Sequence, residues 1–287
     1  MRVKTEVRQR SAVLTGYNEI SIAADIYGEP NQPAIIFAHG GGQTRHAWRH
    51  SGKLLAAAGF QSICVDLRGH GDSDWCPQGD YRIEAFAEDF VSICGELASP
   101  PILVGASLGG IAAMVAAGEL CAGLFRAIVF VDVTPHMETS GVEKVIGFMS
   151  EHLDAGFGSL EEAADAIAAY LPHRAKPKNL DGLAKNLKLG DDQRYRWHWD
   201  PKFVTGVNRP SASRDPERLS KAVSNIDVPI MLVKGQMSEL VSEESVQQFL
   251  KLKPEAKFVD VANAHHMVAG DHNDAFTDAI VKFALEI

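Results

Sequence analysis

Pro101-Ile-Leu-Val-Gly105-Ala-Ser107-Leu-Gly109-Gly110 is the stretch on which the reading of this chain turns. Its apolar start is the kind of short run that forms a strand buried on both faces. The segment after Gly110, to about residue 120, is Ala-rich and helical in composition. Between strand and helix lies Gly-x-Ser-x-Gly. A side chain on so sharp a turn stands clear of the backbone, and glycines two positions to either side let neighbouring chain approach closely. The helix N-terminus beneath it favours negative charge at that point. Ser107 is therefore a candidate nucleophile. A helix merely capped by Ser107 would show the same hydroxyl, so the surrounding pattern has to decide.

Outward from this turn, apolar runs alternate with amphipathic stretches, the pattern of a mostly parallel sheet covered by helices. Upstream, residues 11–28 read as an antiparallel pair turning near Gly16-Tyr17-Asn18, and Ala34–Ala38 and Gln61–Val65 as buried strands. Residues 47–58 predict a helix stopped by Gly59, and 82–98 a helix with Ile83, Phe86, Phe90, Ile93 and Leu97 on its apolar face. Ala127–Val131 is a further strand, ending at Asp132. The alternation then stops. From 134 to 222 there are helical stretches around 141–153, 159–170 and 179–188 and no convincing strand. This predicts a helical cap inserted between a first core part, 1–133, and a second, 223–287. The second part holds a strand at Val228–Val233, a helix at 243–251, a strand at Ala256–Val261 and a closing helix at 273–286.

Three further groups could serve Ser107. His39-Gly40-Gly41-Gly42 follows the first buried strand. A donor to a developing alkoxide must come close to it, and glycine removes the side chain that would block the approach. The N–H groups of Gly41 and Leu108 are the candidate oxyanion hole, while His39 reads as a loop organiser bonded to backbone. His265-His266 follows the last strand and offers an imidazole base. For the acid that orients the base, two carboxylates compete: Asp132, at the end of the strand beside Ser107, and Glu239, in Gly235-Gln-Met-Ser-Glu239. His265, His266, Asp271 and His272 match no recognised metal-ligand spacing, and no metal or cofactor is expected.

The substrate contacts should lie in the insertion, above a rigid sheet. Arg194-Tyr-Arg196-Trp197-His-Trp199-Asp-Pro201 is the densest aromatic and cationic cluster in the chain. Trp197 and Trp199 could present rings to an apolar acyl group and Arg196 a guanidinium to a carboxylate, or the segment could anchor the insertion. Trp48 and Trp75 could rim the pocket, though Trp48 on a helix face is equally a core residue.

A formal charge of −9 over 287 residues argues against a general affinity for nucleic acid or anionic membranes. No apolar run approaches the roughly 20 residues of a membrane span, and no apolar h-region follows the cationic N-terminus. Cys64, Cys76, Cys94 and Cys121 form no CxxC pair. These features predict a cytoplasmic monomer or homodimer that acts on a small molecule.

Taken together, the His39 loop, Asp66-Leu-Arg-Gly-His-Gly-Asp-Ser73, the turn at Ser107 and Ala264-His-His266-Met-Val-Ala-Gly-Asp271 resemble the α/β-hydrolase family across nearly the whole chain. The resemblance implies an α/β fold with a mostly parallel eight-stranded sheet flanked by helices and an inserted cap. The second motif is structural and positions the turn from below. Family members commonly show Gly-His in the last motif, so His265 stands where that glycine would and His266 is the implied base. The family's usual later acid would fall at Ser238. Phe130-Val-Asp-Val-Thr-Pro135 instead resembles the subgroup with its acid after this strand, which includes bacterial esterases and an amide hydrolase acting on a vitamin B6 breakdown product. The implied activity is hydrolysis of an ester or amide through an acyl-enzyme. A lactonase, a cofactor-free haloperoxidase-like activity, or a non-catalytic ligand-binding protein of the same fold are the alternatives. Dehalogenases and epoxide hydrolases of this fold use an Asp nucleophile, and Ser107 argues against both.

Overall fold

The computed structural model describes residues 7–171, 180–262 and 274–287. Its first part runs β1 (Gln9–Thr15), β2 (Ser21–Tyr27), β3 (Ala34–Ala38), α1 (Arg49–Ala57), β4 (Gln61–Val65), α2 (Ile83–Gly95), β5 (Ile102–Ala106), α3 (Leu108–Val115) and β6 (Ala127–Val131). An insertion follows, with α4 (Thr139–Ser150), α5 (Leu160–Tyr170), α6 (Asp181–Ala184), β7 (Leu187–Leu189), β8 (Tyr195–Trp197), α7 (Lys202–Thr205) and α8 (Pro210–Ser213). The chain then forms α9 (Pro216–Ser224), β9 (Ile230–Gly235), α10 (Glu243–Leu252), β10 (Lys257–Val261) and α11 (Asp274–Glu286).

Eight strands form one sheet in the order β1-β2-β4-β3-β5-β6-β9-β10. The pairs β1–β2 and β2–β4 are antiparallel and the rest are parallel. A strand covered on both faces sends alternate residues into two cores. Ile36, Leu103, Ile128, Phe130 and Leu232 enter the core shared with α2, α3 and α10. Ile35, Phe37, Val104, Val129 and Val233 enter the core closed by α1 and α11. Trp48 belongs to the second core, fully buried between Phe37 and Phe276, so it is a packing residue and not part of a pocket rim.

The parallel register brings one set of strand ends to one edge. Ala38 pairs with Gly105, Ala106 with Val131, and Val131 with Val233. The segments leaving β3, β5, β6 and β9 therefore emerge side by side, carrying the glycine loop, Ser107, Asp132 and Ser238.

The insertion is not wholly helical. The helix expected at 179–188 is one turn, α6, and then β7 pairs antiparallel with β8. The reason is the turn between them: Gly190 N–H donates to Arg194 O (2.9 Å), and Gln193 sits at φ 59°. Such a turn closes a hairpin. Phe157 bridges the other side of β8, and Trp197 stacks on Trp199 with centroids 4.8 Å apart. Helix α9 packs against α3 and α10, with the helices that flank the sheet.

Candidate active site

Ser107 carries a distinctive backbone signature. It sits between β5 and α3 at φ 44° and ψ −110°, a conformation that a residue with a Cβ adopts only under constraint. The constraint is visible in its neighbours. A Cβ on Gly105 would lie 2.8 Å from the Gly109 carbonyl, and one on Gly109 would lie 2.7 Å from Ala38. Strand and helix can meet this closely only where both positions lack side chains. The Ser107 N–H donates to Val131 O (3.2 Å), Gly109 N–H donates to His39 O (3.2 Å), and Ser107 O accepts from Ile111 N–H (2.9 Å). From Pro101 to Ala117 every residue is buried except Ser107.

Gly40 lies against this turn, a Cβ there standing 3.3 Å from Ser107 Cβ. Gly40 O accepts from His39 Nδ1 (2.8 Å) and from Gln43 N–H (3.1 Å). No acceptor among the described residues is bonded to the N–H of Gly41 or of Leu108. His39 is fully buried, with its Nε2 accepting from Leu67 N–H (3.0 Å). Desolvation holds its pKa down at about 4, so it is neutral and has both nitrogens occupied.

Asp132 follows β6 at φ 50° and is fully buried. One oxygen accepts from Gly235 N–H (3.1 Å), the other from the Ser238 hydroxyl (2.6 Å). The direction of that second bond is fixed, because Ser238 Oγ itself accepts from the N–H groups of Leu240 and Val241, both at 3.1 Å. Its hydrogen must go to Asp132. Glu239 has a different setting: it is exposed and ion-paired to Lys144 of α4 at 2.7 Å. His265 and His266 lie outside the described residues, as do Asp271 and His272. Among the described residues no group of three or more His, Cys, Asp or Glu is arranged to hold a metal ion.

The insertion meets the glycine loop with apolar groups. A Cβ on Gly41 would touch Phe203 of α7 (3.3 Å), and one on Gly42, at φ +76°, would touch Met149 of α4 (3.2 Å) and Trp199 (3.4 Å). Trp197 and Trp199 are both buried. Arg196, expected to reach a substrate carboxylate, is engaged instead with Asp192 across the hairpin turn (2.6 Å) and with Asp154 O. The alternation of a strand explains this, since Tyr195 and Trp197 share one face of β8 and Arg196 takes the other. Met149 and Phe203 were not legible as site residues, being ordinary apolar positions in helical stretches.

Two more histidines reach the loop. Gly42 N–H donates to His70 Nε2 (3.1 Å), and Gly42 O accepts from His198 Nε2 (3.3 Å). His70 Nδ1 donates to Arg68 O (3.0 Å), while His198 Nδ1 accepts from Gly71 N–H (2.7 Å). Burial pushes the His70 pKa down to about 3 and that of His198 well below the usual range. The turn that carries His70 is held by ion pairs, the buried Arg68 with Asp89 (2.6 Å) and the half-buried Arg45 with Asp66.

A serine on a strained strand-to-helix turn, packed against a glycine loop at the carboxyl edge of a mostly parallel sheet, defines a hydrolase of the α/β type. Known proteins agree: the model of the alpha/beta hydrolase family matches residues 35–279, and the chain belongs to that family. It is 28% identical over 256 residues to an esterase of Mycobacterium tuberculosis, covering 86% of this chain and 81% of the relative. It is 30% identical over 234 residues to 2-(acetamidomethylene)succinate hydrolase of Mesorhizobium japonicum, covering 78% of each. A crystal structure of E-2-(acetamidomethylene)succinate hydrolase superposes with a TM-score of 0.79 over 96% of this chain and 99% of that one, at 24% identity, which supports the fold.

Proposed function

We propose that the protein hydrolyses an ester or amide bond of a small molecule through an acyl-enzyme, with Ser107 as nucleophile, His266 as general base and Asp132 as the orienting acid. The observation that carries the reading is Ser107 itself, the one accessible residue in a buried run, held at φ 44° at the head of α3. Asp132 supports it from the neighbouring strand, a buried carboxylate whose oxygens are oriented by Gly235 and Ser238. In this mechanism His266 takes the Ser107 proton as the hydroxyl attacks the carbonyl carbon. The N–H groups of Gly41 and Leu108 stabilise the alkoxide, and the leaving group departs with that proton. Water, deprotonated by His266, then releases the acid and restores the serine. Met149, Trp199 and Phe203 of the insertion, which we read as a cap, form the apolar wall beside the oxyanion loop. The names of the two relatives, an esterase and a 2-(acetamidomethylene)succinate hydrolase, are compatible with this chemistry and do not choose between ester and amide.

The test is labelling with a fluorophosphonate probe, together with turnover of a panel of chromogenic esters and anilides, in wild type and Ser107→Ala. Labelling and hydrolysis are expected only in wild type. Equal labelling of the variant would favour a ligand-binding protein that keeps the fold without the chemistry.

A further inference from the structure

The oxyanion loop is gripped by three buried imidazoles from three different parts of the chain. Each hydrogen-bond pattern assigns a tautomer by elimination, because a ring nitrogen facing a carbonyl must carry the hydrogen and one facing an N–H must be bare. His39 and His70 therefore carry hydrogen on Nδ1 and His198 on Nε2. The rings form a file, His39 to His70 at 5.2 Å between centroids and His70 to His198 at 5.8 Å. All three are at most 1% exposed.

Their partners are three successive peptides, from the one joining Gly40 and Gly41 to the one joining Gly42 and Gln43. A trans peptide is planar, with its N–H pointing opposite to its C=O. The peptide joining Gly40 and Gly41 has its carbonyl fixed by His39 Nδ1 and Gln43 N–H, so the Gly41 N–H is turned the other way. The next peptide has its N–H, that of Gly42, fixed by His70, and the one after it has its carbonyl fixed by His198. A glycine run would otherwise sample many orientations. Here, two imidazoles belong to the core and the third to the insertion.

We propose that His39, His70 and His198 are positioning residues that together aim the Gly41 N–H at the oxyanion, and that His198 makes this aim depend on the insertion being seated on the sheet. The inference rests on the reading of Gly41 as an oxyanion donor. None of the three need touch the substrate. Their effect is on a group whose contact strengthens only in the transition state, so it falls on kcat and spares KM.

Two variants of His198 separate aiming from mere packing. His198→Gln places an amide N–H as many bonds from the backbone as Nε2 and keeps the donor to Gly42 O. His198→Asn keeps an acceptor at the place of Nδ1, for Gly71 N–H, and loses that donor. The measurements are kcat, KM, the affinity of a boronic acid that forms a tetrahedral adduct on Ser107, and the thermal midpoint. With both variants folded, His198→Asn is expected to lose roughly 10²-fold in kcat, the order of a misplaced or missing oxyanion donor. Boronate affinity should fall in parallel with kcat while KM stays within about threefold of wild type, and His198→Gln should recover at least tenfold in kcat. Equal kcat in the two variants, or a loss confined to KM, would overturn the proposal. Ser107→Ala runs beside them: if it still hydrolyses the substrate, the serine reading fails; if it is inert while both histidine variants keep wild-type kcat, only the brace fails.

Discussion

The carboxyl edge of the sheet and the insertion above it are built on different principles. At the sheet edge the backbone decides. Ser107 and Asp132 occupy positive φ, and Gly105 and Gly109 have backbone where a Cβ would go. In the insertion side chains decide. Trp197 on Trp199, and Phe148 on Tyr170 at 4.1 Å, form aromatic stacks around a two-stranded hairpin. Gly147 in α4 has nothing within 4 Å of where its Cβ would stand. The first region has no room for a methyl group at Gly105 or Gly109, whereas the second has open space at Gly147. Under the proposed mechanism, the rigid part lies where charge develops and the side-chain-packed part where the substrate varies.

The largest test of that contrast sets two neighbouring carboxylates against each other. Asp132→Asn is expected to lower kcat/KM on the order of 10⁴-fold, as removal of a triad acid does when it misorients the base. Glu239→Gln removes an exposed partner of Lys144, worth at most about 1 kcal/mol of stability, and should leave turnover within twofold. Steady-state hydrolysis of the best ester of the panel reads both. Full activity in Asp132→Asn with loss in Glu239→Gln would reverse the acid assignment and dissolve the contrast.

Next in size is a methyl group. Gly109→Ala places a Cβ 2.7 Å from both the Cβ and the O of Ala38, in backbone that cannot retreat without moving β3. Overpacking of this kind costs about 1–3 kcal/mol, and at this turn it should also displace the Leu108 N–H. Urea unfolding and turnover are both expected to fall. A variant of wild-type stability would mean that the edge is softer than its contacts imply.

Much of this edge was legible in the amino-acid sequence because its constraints are local. The glycines around Ser107, the glycine loop after β3 and Asp132 at the end of β6 each announce themselves within a few residues. Ser238 and His198 do not. Ser238 matters through Asp132, 106 positions away, and His198 through Gly71, 127 away. No local pattern distinguishes such a serine from a turn residue, or such a histidine from a polar break in an aromatic cluster. The hairpin was hidden for a related reason. Its strands are three residues each, too short to show a period of two against the period of a helix.

The three buried imidazoles give the contrast a pH axis. Their folded-state pKa values lie below the unfolded value of about 6.5, His39 at about 4 and His70 at about 3, with desolvation as the main cause. The unfolded chain therefore binds protons that the native one refuses. The stability these groups confer is whole above pH 6.5 and is lost as pH falls toward 4 and then 3. His39 and His70 should each cost on the order of 2 kcal/mol by pH 5. Urea titrations at pH 7.5 and pH 5 should show the fall in wild type and a smaller one in His70→Gln. An equal fall in both would place the acid sensitivity elsewhere, in groups outside this file.

The smallest effect has the opposite sign and tests the side-chain-packed half. Gly147 lies on the exposed face of α4, where a methyl group would meet open space and where glycine costs a helix about 0.5–1 kcal/mol relative to alanine. Gly147→Ala should therefore stabilise the protein by about that amount, read as a higher urea midpoint at unchanged slope. The comparison with Gly109→Ala is internal, the same methyl group added in each case at the N-terminal or C-terminal part of a helix. Turnover should stay at the wild-type level, because Met149, the α4 residue that touches the Gly42 loop, keeps its place when the helix is stiffened at Gly147. A stabilised variant with reduced kcat would show instead that α4 must yield during the reaction, and the insertion would then have to be counted as a moving part of the site.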